Sequence, residues 1–300
     1  MIDQLRVALV VKISKSGSTL ERENRNMGYW SYPVPEFTWQ HFDYTTAHKI
    51  DTSFDLIFIE DLSKGSDLRS KGLPVVYLSI DDTLSADHLR VRQEQARFAD
   101  LVLVDHGDLS RFNHAKRLNF CVNDHVFKPL EKTTDFTFHC SGGDNTGGDN
   151  TPGCKERLKL RRRLGDVSAE TGYSYHSGTK PLPKYAAAMG HSKVIVNWPR
   201  TPINRPHRLF DAMACGAAVL SGAVPQVSGD MIRPGYEYVS AQTQEEIPDL
   251  LRKLLDPESQ NWQDVAEAGW LMVMAEHTWA VRAKQLKTML DNEFGDNGRR

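Results

Sequence analysis

Arg208 and Asp211, one helical turn apart, are the side chains whose types and spacing most plainly suit chemistry. They lie in His207–Leu220, HRLFDAMACGAAVL, which predicts a short helix, a stop at Cys215-Gly216 and then a buried strand. A carboxylate held on such a helix beneath a strand edge suits hydrogen bonding to a diol such as a ribose. An arginine one turn away suits a phosphate, because its planar fork binds two oxygens at once. Together they fit a nucleotide-sugar, with Gly216 at the turn counted among the binding residues. A salt bridge between Arg208 and Asp211 themselves is the structural alternative. The preceding loop, NWPRTPINRPHR, adds Arg200 and Arg205, and its prolines stiffen it and pre-position the guanidiniums. Arg205 and Lys180, the latter after an HSGT turn, are further phosphate candidates. Tyr175, His176 and Ser177 flank the nucleobase by position only.

Two other stretches carry reactive groups. In SGGDNTGGDNTPGC the segment GGDNT is written twice. Gly142 and Gly143 there can offer consecutive backbone N–H groups to an anion, helped by the helix that follows, or the run is simply a mobile connection. Its spacing lacks the ligand density of a calcium loop. LPVVYLSIDD ends in the adjacent carboxylates Asp81 and Asp82, whose repulsion raises one pKa, unless they serve to cap the next helix.

The surrounding 300 residues suggest about two domains. A net charge of -2 gives no global basic signature, so a nucleic-acid partner needs a local patch. Arg22, Arg25 and Lys155 to Arg163 are the basic stretches, although Arg161, Arg162 and Arg163 splay around a helix rather than forming one face. No apolar run approaches the ~20 residues of a membrane span. The start, MIDQLRVALVV, is acidic and strand-like, unlike a secretory signal. Four cysteines without metal spacing read as reduced thiols, and the expected location is cytoplasmic.

The positioning elements alternate. Arg6–Val11, Phe54–Ile59, LPVVYLSI and ADLVLVD are buried strands, with helices predicted over SADHLRVRQEQARFA and GDLSRFNHAKR. This rhythm argues a parallel sheet covered on both faces. NFCVNDHVFKPLEKTTD reads as a crossing between domains, and FTFHC opens a second alternation. That continues through the basic helix CKERLKLRRRLGD, GYSYHSG, KVIVNWP, a short strand at Tyr236–Ser240, and helices over Trp262–Ala275 and Thr278–Asn292.

KVIVNWP, the arginine loop, HRLFDAMACGAAVLSG, GYEYVS and the ending EAGWLMVMAEHTWAVR together resemble GT-B glycosyltransferases, most closely the CgeB-like, spore-maturation-type group. The first half agrees through DLIFIED, LPVVYLSIDD and ADLVLVDHGDLSRF. The resemblance implies an α/β fold of two Rossmann-like domains facing across a cleft: an acceptor domain over 1–130, a donor domain over 131–277, and a helix over 278–294 crossing back. It implies donor binding by the second domain and a catalytic base from the first. Asp81 and Asp82 are the first choice for that base, His41 and Asp43 the second, and Glu21 a third. Asp211 stands where family members usually carry Glu. Ile203 and Asn204 stand where retaining relatives carry an upstream Glu, which favours an inverting course. Neither half shows a DxD motif, and the arginine loop supplies the leaving-group charge. The expectation is therefore a metal-independent hexosyl transfer from a UDP-sugar co-substrate, with Mg²⁺ assistance to product release left open.

The acceptor stays open among a glycan, a protein, a small molecule and a 5-hydroxymethyl-pyrimidine in phage-type DNA, the last needing an exposed or flipped base. Two other classes are a non-catalytic nucleotide-sugar-binding spore or surface assembly protein and a sugar-nucleotide epimerase.

Overall fold

The computed structural model describes residues 4–11, 34–42, 46–60, 66–79, 86–105, 108–119, 121–139, 152–178, 182–199, 207–224, 232–259 and 261–295. The chain forms two compact units, Met1–Phe120 with Trp279–Arg300, and Cys121–Thr278.

In the first unit, β1 (Leu5–Val11), β2 (Phe37–Phe42), β3 (Leu56–Glu60), β4 (Val75–Ser79), β5 (Leu101–Val104) and β6 (Ala115–Arg117) make a parallel sheet in the order β2-β1-β3-β4-β5-β6. The central strands are buried on both faces, which is why LIFIE, VVYLS and LVLV are nearly continuous apolar runs rather than alternating ones. Ala8, Val10, Ile57, Ile59, Tyr77, Val102 and Val104 form one core layer. The helices α1 (Ser66–Arg69) and α2 (Ala86–Ala96) connect the strands.

One expected helix is replaced. Within GDLSRFNHAKR, residues 108–117 form a 3₁₀ turn over Leu109–Arg111 and then the edge strand β6, parallel to β5. The Asp108 side chain caps the turn by accepting from the Ser110 N–H at 2.9 Å. Phe112 is already extended, and His114 adopts φ 53°, so the chain cannot propagate a helix.

The second unit has β7 (Thr134–Phe138), β8 (Tyr175–Ser177), β9 (Ser192–Asn197), β10 (Ala218–Gly222) and β11 (Val239–Ala241), parallel in the order β11-β10-β9-β7-β8. Its helices are α3 (Pro152–Thr171), α4 (Leu182–Gly190), α5 (Arg208–Ala214), α6 (Ile247–Leu255) and α7 (Asn261–Glu276). The stripe Ile247, Leu251, Leu254 and Leu255 buries one face of α6 against the sheet, and Pro248 suits its first turn. The short strand begins at Val239 rather than Tyr236. Residues 233–238 instead form a turn in which the buried Glu237 carboxylate accepts from the Arg233 backbone N–H and guanidinium.

The last helix, α8 (Trp279–Phe294), belongs to the first unit. Trp279 is 2% exposed and packs against Phe37 and Trp39 of β2, with ring centroids 6.5 and 6.1 Å away. The Lys116 ammonium donates to Glu293 near the other end of α8. The outgoing and returning strands of the chain are tied together where the units meet in sequence, through a Val122–Thr278 bridge and a Val122 N–H to His277 carbonyl bond of 2.8 Å.

Candidate functional site at the carboxyl edge of the second sheet

In an open parallel sheet, ligands bind beyond the carboxyl ends of the strands, where the order of connections reverses. In the second unit the chain runs from β7 outward to β8 and then returns to β9 on the other side of β7, so the reversal falls between β7 and β9. Each strand there ends in a polar residue after a buried apolar run. His139 follows β7, Asn197 ends β9 and Ser221 lies one residue before the end of β10. All three are buried.

These residues are joined. The Asn197 carboxamide donates through Nδ2 to the Ser221 hydroxyl at 2.9 Å, which turns its Oδ1 toward α5. Arg208, the first residue of α5, donates to that Oδ1 at 3.3 Å. Burial pushes the Tyr185 phenol well above its ordinary value, and the Arg208 guanidinium beside it offsets part of that rise. The Tyr185 ring meets the His139 imidazole edge-on at 5.3 Å, while His139 Nδ1–H donates to the Gly178 carbonyl at 2.7 Å. Asp211, in the first turn of α5, is 2% exposed and helps hold the Tyr185 and Cys215 protons in place. Arg157 of α3 is also buried and donates to the Trp198 carbonyl just after β9. Gly222 at the end of β10 fits closely here, since a Cβ on it would lie 3.1 Å from side-chain atoms of both Pro199 and Trp198.

This arrangement can fix one guanidinium at a sheet edge with its direction set by a buried amide. Such a preorganised, partly desolvated arginine is suited to a dianionic oxygen cluster. The polar strand endings Asn197, Ser221 and His139, together with Tyr185, were not singled out from the sequence. The signal was present in the pattern, since KVIVN, AVLSG and FTFH each close an apolar run with a hydrogen-bonding residue.

The expected site residues scatter in informative ways. Arg208 and Asp211 come together on α5 with both side chains at its first turn. Gly216 does not belong with them. It ends α5 at φ 60°, donating to the Met213 carbonyl, and so lies at the amino edge of β10, opposite the strand ends. Its role there is steric, because a Cβ would stand 3.2 Å from Pro129. Cys215 beside it is fully buried, and burial pushes its thiol up to about 12, which keeps it protonated and inert. Tyr175 packs on Phe136 at 4.7 Å within the sheet core, and Ser177 accepts from Arg161, so α3 and β8 engage both. His176 is exposed on the edge strand. His41 lies in β2 with Leu9 as its neighbour in β1. Asp43, Asp81, Asp82, Gly142, Gly143, Lys180 and Arg205 lie outside the described residues. Of the basic helix, Arg161 turns to Ser177 and Arg163 pairs with Glu245 at 2.7 Å, so these two have separate intramolecular partners.

A family model described as glycosyl transferase-like matches residues 117–288, more than half of the chain. The chain belongs to that family and is a glycosyltransferase. Its two parallel-sheet α/β units are those of the GT-B class. The sucrose-phosphate synthase of Thermosynechococcus elongatus shares the fold at a TM-score of 0.62 and 13% identity, covering 97% of this chain and 99% of that one. The Anabaena protein Alr3699/HepE, solved in complex with UDP-glucose, does so at 0.62 and 13%, over 96% and 100% of the two chains. A glycosyltransferase from Rickettsia africae ESF-5 follows at 0.59 and 8%, over 98% and 100%. Comparison with curated proteins finds no match. Among the described residues, no helix is long and apolar enough to cross a membrane.

Proposed function

We propose that this glycosyltransferase uses a UDP-sugar and transfers its sugar to a hydroxyl acceptor with inversion, as a CgeB-like member of the GT-B class. The observation that supports the donor assignment best is the hydrogen-bonded chain Ser221–Asn197–Arg208 at the carboxyl edge of the second sheet, with its serine and asparagine buried. In this reading Arg208 binds the diphosphate and carries much of the leaving-group charge, and Asp211 accepts from the ribose hydroxyls. Arg205, Lys180 and the backbone of Gly142 and Gly143 add phosphate contacts. Structural relatives solved with UDP and UDP-glucose favour a uridine donor. The inverting course needs a base for the acceptor hydroxyl, for which Asp81 or Asp82, then Asp43 and His41, are our candidates.

The test is a nucleotide-release screen over UDP-, GDP- and ADP-linked sugars, with glycan, protein, small-molecule and hydroxymethylated-DNA acceptors. UDP release that depends on one acceptor class is the expected result and names that class. Release only from a donor other than a UDP-sugar overturns the uridine assignment. Arg208→Ala that leaves donor KM and kcat unchanged removes the proposed donor site.

A further inference from the structure

The first unit carries a basic pocket that shares no residue with the donor or base candidates above. It measures about 450 Å³ and is lined by Arg69, Gln93, Arg97, Arg111, Asn113 and His114 around an apolar floor of Ala96, Ala99 and Phe112. Its place in the fold is the amino edge of the first sheet. Arg97 follows the last turn of α2, Ala99 precedes β5, His114 immediately precedes β6, and Arg69 closes α1 ahead of β4. Substrates of open parallel sheets bind at the carboxyl edge, so this pocket is at the wrong end of its own sheet to hold one.

Among the described residues, three guanidiniums line it and no carboxylate does. The two acids that pair with Arg69 and Arg111 are shared with other donors. Asp100 accepts the Val75 N–H at 2.8 Å and reaches Arg69 only at 3.4 Å. Asp108 accepts from the Ser110 N–H and hydroxyl, which hold its carboxyl below the ordinary range, and stands 3.9 Å from Arg111. Both arginine contacts are longer than the 2.7–2.9 Å of a good charge-assisted bond. Arg97 has no partner among the described residues. The wall is nevertheless fixed. The Gln93 amide donates to the Arg111 carbonyl at 2.9 Å, tying α2 to the 3₁₀ turn, and the His114 carbonyl accepts the Val102 N–H at 3.1 Å. His114 is also the one non-glycine residue with positive φ among the described residues, a strained backbone held at the rim.

We propose that this pocket binds a small soluble anion bearing a phosphate or diphosphate group, gripped by Arg69, Arg97 and Arg111. Forked guanidinium donors match phosphate oxygens, and the volume falls in the range of small-ligand sites. The inference does not rest on the donor assignment.

The test is calorimetric titration of the full chain with pyrophosphate, glucose 6-phosphate and inorganic phosphate, and with vesicles carrying an anionic phospholipid. All titrations are repeated in Arg208→Ala. A pyrophosphate or sugar-phosphate site that persists in Arg208→Ala is expected. It should weaken about tenfold or more in Arg97→Gln/Arg111→Gln, and also in Asn113→Asp, which adds a charge at the exposed rim. These positions are exposed, and an unchanged urea-denaturation midpoint shows that the variants fold. Binding lost in Arg208→Ala but unchanged in the pocket variants overturns this proposal and leaves the donor reading standing. Binding of vesicles alone, or of none of the anions, overturns it too.

Discussion

At the residue scale, what distinguishes Arg208 from the other arginines is that its direction is set by a buried amide. Asn197 has no exposed surface, and its two ends are committed to Ser221 and Arg208. Asn197→Ala leaves a hydroxyl and a guanidinium without that partner, at a cost of about 1–3 kcal/mol of stability. We expect donor KM to rise about tenfold while acceptor KM stays unchanged. Asn197→Asp, which keeps an acceptor facing Arg208, should restore most of the donor affinity. Initial rates over a donor series check both, and an unchanged donor KM in Asn197→Ala shows that the amide does not position Arg208. Asp211→Asn and Asp211→Ala give a second comparison. If the carboxylate accepts from the ribose, both raise donor KM while pyrophosphate affinity is kept.

At the element scale, the turn from α5 into β10 depends on the one residue type that accepts φ 60° without strain. Gly216→Ala places a Cβ in the left-handed region and 3.2 Å from Pro129, so we expect about 1–2 kcal/mol of destabilisation. Since that turn is at the amino edge of the sheet, donor KM should not change. Urea denaturation alongside steady-state kinetics separates the two, and a donor effect without a stability effect would return Gly216 to the binding site. The helix expected over GDLSRFNHAKR shows where local pattern misleads. Three isolated apolar residues fit a helical stripe, but Ala115 and its neighbours are held extended by pairing with β5, a partner distant from any local window.

At the scale of the whole molecule, two single residues tie distant pieces together. Trp279 anchors α8 on β2 in the first unit, and Trp279→Ala should cost about 3–5 kcal/mol through lost burial and the cavity left behind. Hydrogen exchange should then accelerate in β1 and β2 and leave β9 and β10 protected, and equal acceleration in both units would contradict the assignment of α8. In the second unit, the half-buried Lys132 ammonium donates to the Gly190 and Cys215 carbonyls, clasping the carboxyl ends of α4 and α5. Burial lowers its pKa from 10.5 to about 8. Because the folded value is the lower one, the unfolded chain binds more protons between about pH 8 and 10.5, so this group makes stability rise with pH across that window. Below it the cost of the buried charge is present in full. Denaturant midpoints measured from pH 7.5 to 10.5 should rise in the wild type and flatten in Lys132→Met.

The linear order of residues by itself determined the strands as apolar runs and the glycine stop after α5, while the glycosyltransferase class was expected from the family resemblance of HRLFDAMACG and its neighbours. Those features are local, because burial on both faces of a parallel strand and a left-handed helix end each leave their mark within a few residues. Only the tertiary structure decided that Asn197, Ser221, His139 and Tyr185 share one sheet edge with Arg208, and that Gly216 is at the other. It also decided that α8 packs with strands more than 200 residues earlier in the chain, and that three arginines from separate elements line one pocket. Which strand neighbours which is set by crossover connections. Hydrophobic period specifies which face of a strand is buried, but it carries no information about the partner alongside.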